Sequence, residues 1–280
     1  MKMIYVTKFD GRKQPFDRNK VINTCLRLHA SMQQAEAVTS KIERKIYDGI
    51  PTKKILHMIF TYLKEFKPEV SYRIDLREAI SRLRPKPDFE IFIALLLREL
   101  GYSVVSNQLI PGKCVTHEID AIAIKDNETI FVEVKHHLQS HTYTGVDIIL
   151  ETQARLEDLR EGFALGRHKF NFSKALVICN TKFSDHALQY AECKGISYIG
   201  WKAPSGKGLE DLIEEKKLYP ITLLKELDLE TEQKLADSGI VTLKQMLEHD
   251  IKSLHDKTKI PNKKLKFLMK AAKEITEVGS

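Results

Sequence analysis

Apolar positions change their spacing twice along the chain. Up to residue 84 they recur at helical intervals, and helices are expected over about 18–30, 35–47, 52–66 and 72–83, after a short strand, "MIYVTKF", and a "DGR" turn. At "RLRPKPDFE" two prolines interrupt this pattern, and Asp88 fits the N-cap of a new apolar helix, "DFEIFIALLLREL", so a boundary is placed near Arg84. Strand-like runs follow: "YSVVSNQLI", "HEIDAIAIK" and "TIFVEVK". An amphipathic helix from Val146 to about Gly162 comes next, with a stripe of Val146, Ile149, Leu150, Leu156 and Leu159, and then strand "KALVICN", helix "DHALQYAEC" and strand "ISYIGW". Past "APSGKGLEDLIEEKKLYP" the strands stop, and short helices alternate with turns such as "DSGIV" and "TKIPNKK". The pattern predicts an α/β protein of three domains: residues 1–85, mainly helical with a small β element; 86–220, an α/β layer; and 221–280, all helical.

Composition narrows this little. The 280 residues, 42% hydrophobic and 30% charged, are enough for two or three cores. No apolar run approaches the roughly 20 residues that cross a bilayer, and the opening "MKMIYVTKFDG" has no apolar signal region, so a cytoplasmic protein without membrane contact is expected. Cys25, Cys114, Cys179 and Cys193 form no CxxC and indicate neither a zinc knuckle nor a disulfide framework. The formal charge of +7 is moderate, but Lys252, Lys257, Lys259, Lys263, Lys264, Lys266, Lys270 and Lys273 face only Asp256 among the carboxylates of their segment, a local surface for a polyanion.

Charge also falls where a core strand is expected. In "TIFVEVK" the side chains of Phe131, Glu133 and Lys135 share one strand face, and a tight turn at Lys125–Glu128 folds this strand back on the one carrying Asp120. Two converging carboxylates repel unless a hard divalent cation compensates them; Mg²⁺ takes one or two protein carboxylates and keeps several waters. With an adjacent lysine, that is phosphodiester hydrolysis chemistry. An isolated ExK is more often an ordinary Glu/Lys pair on a solvated sheet face. In "HHLQSH", His136 and His137 read as phosphate or water contacts beyond this strand; a zinc site would need a fixed ligand framework that the segment lacks. Gln153 and Arg155 face either the cleft or solvent.

The order of helix with Glu90, strand, strand with Asp120, strand with Glu133 and Lys135, helix, strand resembles the PD-(D/E)xK nuclease core over about residues 86–202, in particular its Mrr-like restriction endonuclease branch. The resemblance implies Glu90, Asp120, Glu133 and Lys135 as catalytic residues, Asp120 and Glu133 as ligands of Mg²⁺ or Mn²⁺, and DNA as substrate. The segment "IPGKCVTHEID" departs from the proline or glycine-rich turn that branches of the family carry before the aspartate.

Residues 3–84, through "VTKFDGR", "FDRNKV" and "IYDGIPTKKILHMIFTYL", resemble the ATP-cone, a regulatory nucleotide-binding domain. This implies a pocket of Val6, Lys8, Lys20 and Thr52 with Arg12 beside it, and ATP or dATP as effector. Phe9 stands where a second basic residue is common. There is no G-x-x-x-x-G-K-[ST], so no P-loop motor is encoded. The last sixty residues resemble helix-hairpin-helix DNA-binding domains. Gly239 matches the first hairpin glycine, whereas Lys259-Ile260-Pro261 replaces the second. His136, Lys259, Lys263, Lys264 and Lys266 are the candidate DNA contacts, with a dimerisation element as the other reading of the lysine-rich helices. The expectation is a nucleotide-regulated, metal-dependent DNA endonuclease acting as a homo-oligomer, a dimer or higher. The alternative is a nucleotide-responsive DNA-binding regulator with a non-cleaving nuclease-like domain.

Overall fold

The computed structural model describes residues 3–277. It divides into two compact units interleaved in sequence. One holds the chain through Ile74 with Leu224–Glu226 and the segment from Asn262 onward; the other holds Asp75–Leu223 and Leu227–Pro261.

In the first unit, β1 (Tyr5–Thr7) lies between β2 (Lys13–Pro15), antiparallel to it, and β3 (Ile50–Pro51), parallel to it. Helices α1 (Arg18–Arg27), α2 (Met32–Glu43) and α3 (Thr52–Leu63) bury one apolar face each, with Val21, Cys25, Val38, Ile42, Ile59 and Leu63 in a common core. Local chemistry sets the helix starts. Asp17 caps α1 by accepting from Asn19 N, and a Ser31/Gln34 capping box starts α2 earlier than its apolar spacing predicts. The chain's last helix, Asn262–Glu277, packs against the 3₁₀ turn Pro68–Tyr72, with Phe267 edge-on to Tyr72 at 6.3 Å.

The second unit begins with α4 (Leu76–Arg82), shorter than expected because Asp75 caps its first turn, and α5 (Glu90–Glu99). Strands β4 (Ser103–Pro111), β5 (Thr116–Lys125) and β6 (Glu128–Lys135) follow. After β7 (Tyr143–Thr144) come α6 (Val146–Ala164), β8 (Phe172–Cys179), β9 (Lys182–Phe183), α7 (Asp185–Lys194), β10 (Ser197–Ile199) and α8 (Leu209–Lys216). The five-stranded sheet is mixed, in order β10-β8-β6-β5-β4, with β4–β5–β6 antiparallel and β6–β8–β10 parallel. Asp126 and Asn127, both at positive φ, make the two-residue turn between β5 and β6. Phe131, Ala175 and Val177 face α6 and α7, while Ile130, Val132 and Ile178, of opposite parity, are buried too, so both sheet faces are covered; α5 contacts β4 and β5. The apolar stripe of α6 runs through Ile148, Ile149, Thr152, Leu156 and Leu159; Leu150, expected in it, is 45% exposed. Asp88 does not cap α5. Its buried carboxylate instead takes both arms of Arg84, at 2.7 and 2.9 Å.

Helices α9 (Leu229–Asp237), α10 (Leu243–Leu247) and α11 (Ile251–Thr258) complete this unit, and the final helix is α12. Gly239 has φ +76°. At the second turn Lys259 adopts the same left-handed conformation without being glycine, next to a His255 Nδ1 to Ile260 O hydrogen bond of 2.8 Å. The turn Ile221–Leu223 ties back to α4, where buried Thr222 donates its hydroxyl to Ala79 O at 2.7 Å. Thr222→Val keeps the shape and removes that bond, so it should lower the stability of this unit by about 1–2 kcal/mol. Urea unfolding read by the chain's one tryptophan, buried Trp201, measures the loss; an unchanged midpoint would contradict the assigned bond.

Candidate active site

The site is built where the sheet forks. The last matched pair of β5 and β6 is Ala121 with Val132; beyond it β5 continues only with β4, to Thr116, and β6 only with β8, to Lys135. The fork takes Val134 N out of the β5 ladder, and Asp120 Oδ2 accepts from it at 2.8 Å. Asp120 therefore closes the fork with one oxygen and leaves Oδ1 for other partners. Glu133, opposite it in the extrapolated register, points to the same face, toward α6. There Arg155 holds Glu133 Oε2 and also donates to Glu118 O, its guanidinium 5.1 Å from the Phe131 ring.

A second cation serves the remaining acids. Lys86 Nζ lies 3.0 Å from Glu118 Oε1, 3.1 Å from Glu90 Oε1 and 3.5 Å from Asp120 Oδ1. Glu118, Asp120, Glu133 and Glu151, with Lys86, Arg155, Thr116 and His117, line one open cleft of about 480 Å³. Burial pushes the Glu133 pKa up to about 7, with the Asp120 carboxylate adding to the rise and Arg155 opposing it. Burial also raises Glu90, against the pull of Lys86.

Of the four residues expected to act together, Asp120 and Glu133 line the cleft, and Glu90, buried at the start of α5, reaches Asp120 and Lys86. Lys135 shares the strand face of Glu133 but sits exposed at the end of β6, and its ammonium forms no hydrogen bond or ion pair among the described residues. Nor do three His, Cys, Asp or Glu side chains already form a metal-holding group among the described residues; Lys86 and Arg155 are the cations paired with the carboxylates.

His136 and His137 turn inward. His136 Nε2 donates to Ile80 O at 3.0 Å and its ring packs on Phe89; His137 N and O both bond Asn180, and His137 Nε2 meets Thr144 Oγ1 at 3.1 Å. Burial lowers the pKa of both, keeping them neutral. At the other lip of the cleft, Asp158 on α6 accepts from Cys114 N, Val115 N and His117 Nε2. Burial works against its charge, but those bonds outweigh it and hold its pKa well below the usual carboxylate range. This staples the β4–β5 loop to α6, where Gly162 permits the approach: a Cβ there would meet Pro111 O at 2.7 Å.

Sequence reasoning passed over Lys86, Glu151 and the His117–Asp158 pair. Only Glu118, two residues from Asp120 on the same strand face, carried a local signal.

In the first unit Val6 is buried in the core and pairs with Ile50, while Lys8 and Arg12 flank the turn after β1, where Arg12 Nε donates to Asp10 at 2.7 Å. Lys20 lies near Asp17, which already caps α1. The start of α3, at Thr52, has no side-chain cap and keeps its first amides open. Among the expected DNA contacts, Lys263, Lys264 and Lys266 stand on α12 in the first unit and Lys259 belongs to the second.

Comparison with known proteins matches three family models in succession: an ATP cone domain over residues 4–81, a restriction endonuclease domain over 83–202 and an AF1548-like C-terminal domain over 219–276. An uncharacterized protein of Archaeoglobus fulgidus is 38% identical over 149 residues, 53% of this chain and 80% of that protein. The transcriptional repressor NrdR of Caldicellulosiruptor bescii is 34% identical over 77 residues, 25% of this chain and 50% of the repressor. The crystal structure of AF1548, a protein of unknown function, superposes with a TM-score of 0.58 at 33% identity, covering 68% of this chain and 97% of that one. Matched along almost the whole of that structure, the chain belongs to the AF1548 family and joins an ATP cone, a restriction endonuclease-type domain and an AF1548-like C-terminal domain.

Proposed function

We propose that the protein is a Mg²⁺- or Mn²⁺-dependent DNA endonuclease whose cutting is governed by ATP or dATP bound to its N-terminal domain. The carrying observation is the fork: Asp120 and Glu133, one from each diverging strand, open on one cleft, with Glu90 behind Asp120 and Lys135 exposed on the same strand face. The donors are hard carboxylate oxygens, a set that suits Mg²⁺ or Mn²⁺ over zinc, and the two cations now paired with them show that the cluster needs positive charge. Asp120 Oδ1 and Glu133 would hold the ion, which when bound supplies Lewis acidity at the scissile phosphate. Lys135 orients the attacking water and offsets charge on the phosphate; Glu90 supports Asp120 from behind. The His136 bond to Ile80 O and the paired bonds between His137 and Asn180 fix the backbone just past Lys135, and so its aim. Cutting both strands calls for a symmetric dimer.

In the first domain, Lys8, Arg12, Lys20 and the open start of α3 at Thr52 would take the nucleotide phosphates. A second reading, a nucleotide-responsive DNA-binding regulator, is favoured by the match to a protein named as a transcriptional repressor and by the acids being already paired with Lys86 and Arg155. It requires DNA binding without scission.

Lys135→Ala should cut Mg²⁺-dependent cleavage by about 100-fold or more, with no change in thermal stability, since the ammonium has no partner among the described residues to lose. Asp120→Asn retains an acceptor for Val134 N and should abolish cleavage in a folded protein. Nicking assays over duplex, single-stranded and branched DNA measure both, and full activity in either variant would remove the assignment.

Glu133 generates a pH signature. A carboxyl raised to about 7 on folding stabilises fully below its usual value near 4.5, and that contribution is lost as the pH rises through 7. Between pH 5 and 8 the wild type should lose up to about 3 kcal/mol relative to Glu133→Gln in urea unfolding; parallel profiles would rule out the raised carboxyl.

Lys8→Ala should weaken ATP and dATP binding by about tenfold, the loss of one charge-assisted phosphate contact, and should blunt any nucleotide effect on cutting. Calorimetry with each nucleotide checks the first, cleavage with and without nucleotide the second. Identical rates and identical sedimentation with and without nucleotide in the wild type would eliminate gating.

A further inference from the structure

We propose that Lys86 is a tethered counter-ion of the acidic cluster, which a divalent cation must displace in order to bind; the inference rests on the metal-dependent reading given above. Lys86 touches three carboxylates from two elements, Glu90 on α5 and Glu118 and Asp120 on β5. Its contact on Asp120 is Oδ1, the one oxygen not committed to Val134 N. An incoming ion and the ammonium therefore compete for the same atom. Without some cation there, Glu90 and Asp120 repel at close range.

The backbone that presents Lys86 is fixed while its side chain is not. Arg84 grips Asp88 with two hydrogen bonds and also reaches Asp237 at 2.9 Å, Phe89 N donates to Arg84 O at 3.0 Å, and the Phe89 side chain is fully buried. From this pinned loop a four-carbon stem extends to an ammonium on a side chain 58% exposed. The other cation of the cleft is built differently: the Arg155 side chain is 15% exposed, bonded to both Glu133 and Glu118 O and stacked near Phe131. Lys86 is the cation that yields, and Arg155 the one that stays. Lys86 keeps the acids together when no metal is present and sets a threshold on the metal concentration at which the site fills.

Titrating the full-length protein with Mn²⁺ by calorimetry, without DNA, reads this directly. Lys86→Met should bind Mn²⁺ about tenfold more tightly than the wild type, as expected from removing one positive charge within ion-pairing distance of the ligands. Lys86→Arg, which keeps the charge, should bind like the wild type. In EDTA the methionine variant should melt below the wild type, and Mn²⁺ should raise its Tm by more. Lys86→Gln serves as a second neutral variant should the methionine protein not fold. Equal or weaker Mn²⁺ binding by the neutral variants, with binding present in the wild type and lost in Asp120→Asn, overturns the role of Lys86 and leaves the metal site standing. Absence of Mn²⁺ binding in the wild type and the neutral variants alike removes the metal site, and the proposal with it.

Discussion

The whole site depends on one backbone amide. Where β5 leaves β6 after Ala121 and Val132, Val134 N loses its ladder acceptor at a half-buried position, and an unpaired amide there costs on the order of 1–3 kcal/mol. Asp120 supplies the missing acceptor. Its carboxylate is consequently fixed in rotamer and position before any ligand arrives, with one oxygen spent on the sheet and the other turned to the cleft. A residue that reads in sequence as a candidate ligand is thus also what lets the sheet open, so the fold and the site share an atom group. Exchange of Asp120 for alanine would remove both roles at once, whereas asparagine keeps the acceptor for Val134 N and separates them.

From that fixed point the electrostatics follow. Five carboxylates lie in and behind one cleft, Glu90, Glu118, Asp120, Glu133 and Glu151, and two cations answer them. Burial and mutual repulsion would protonate part of this set, as the raised Glu90 and Glu133 indicate. The cations limit that tendency without removing it. Such a cluster is costly for stability, and apart from the Asp120 bond to Val134 N its burial offers the fold little that apolar residues could not.

Much of this was legible in the sequence because it rested on local periodicity. The two-residue turn at Asp126-Asn127 and the alternation of Phe131, Glu133 and Lys135 fixed which side chains share a face, and the structure keeps both. Missed features came from contacts that local spacing does not encode. Asp88 had the right position for an N-cap, but Arg84 offered it a charge-assisted fork. His136 and His137 read as phosphate or water contacts because nothing in "HHLQSH" announces Ile80 O or Asn180 as partners. Lys86, between two prolines, carries no local signal, and its partners appear only when β5 is placed beside it. Lys259 adopts the glycine conformation at its turn, where Ile260 is held on both sides: its O accepts from His255 and its N donates to Thr258 Oγ1.

Under the proposed nucleotide control, the segment from Asp75 to Glu90 is where an effect on the site would have to enter the second unit's sequence. It follows the N-terminal strands and helices in sequence, and within the second unit α4 is anchored at three successive residues. Ala79 O accepts from Thr222, Ile80 O from His136, and Ser81 Oγ meets Asn180 at 3.4 Å. Beyond α4 it presents Arg84 to Asp88, Lys86 to the acids and Glu90 to Asp120. Nucleotide can shift an equilibrium only through unequal affinity for two arrangements. An arrangement that moved this segment would change two things together: the cation seated on Asp120 Oδ1, and the aim of the backbone beyond Lys135. Gating therefore needs no conduit through the sheet, because the residues that would have to move already touch the residues that would have to act.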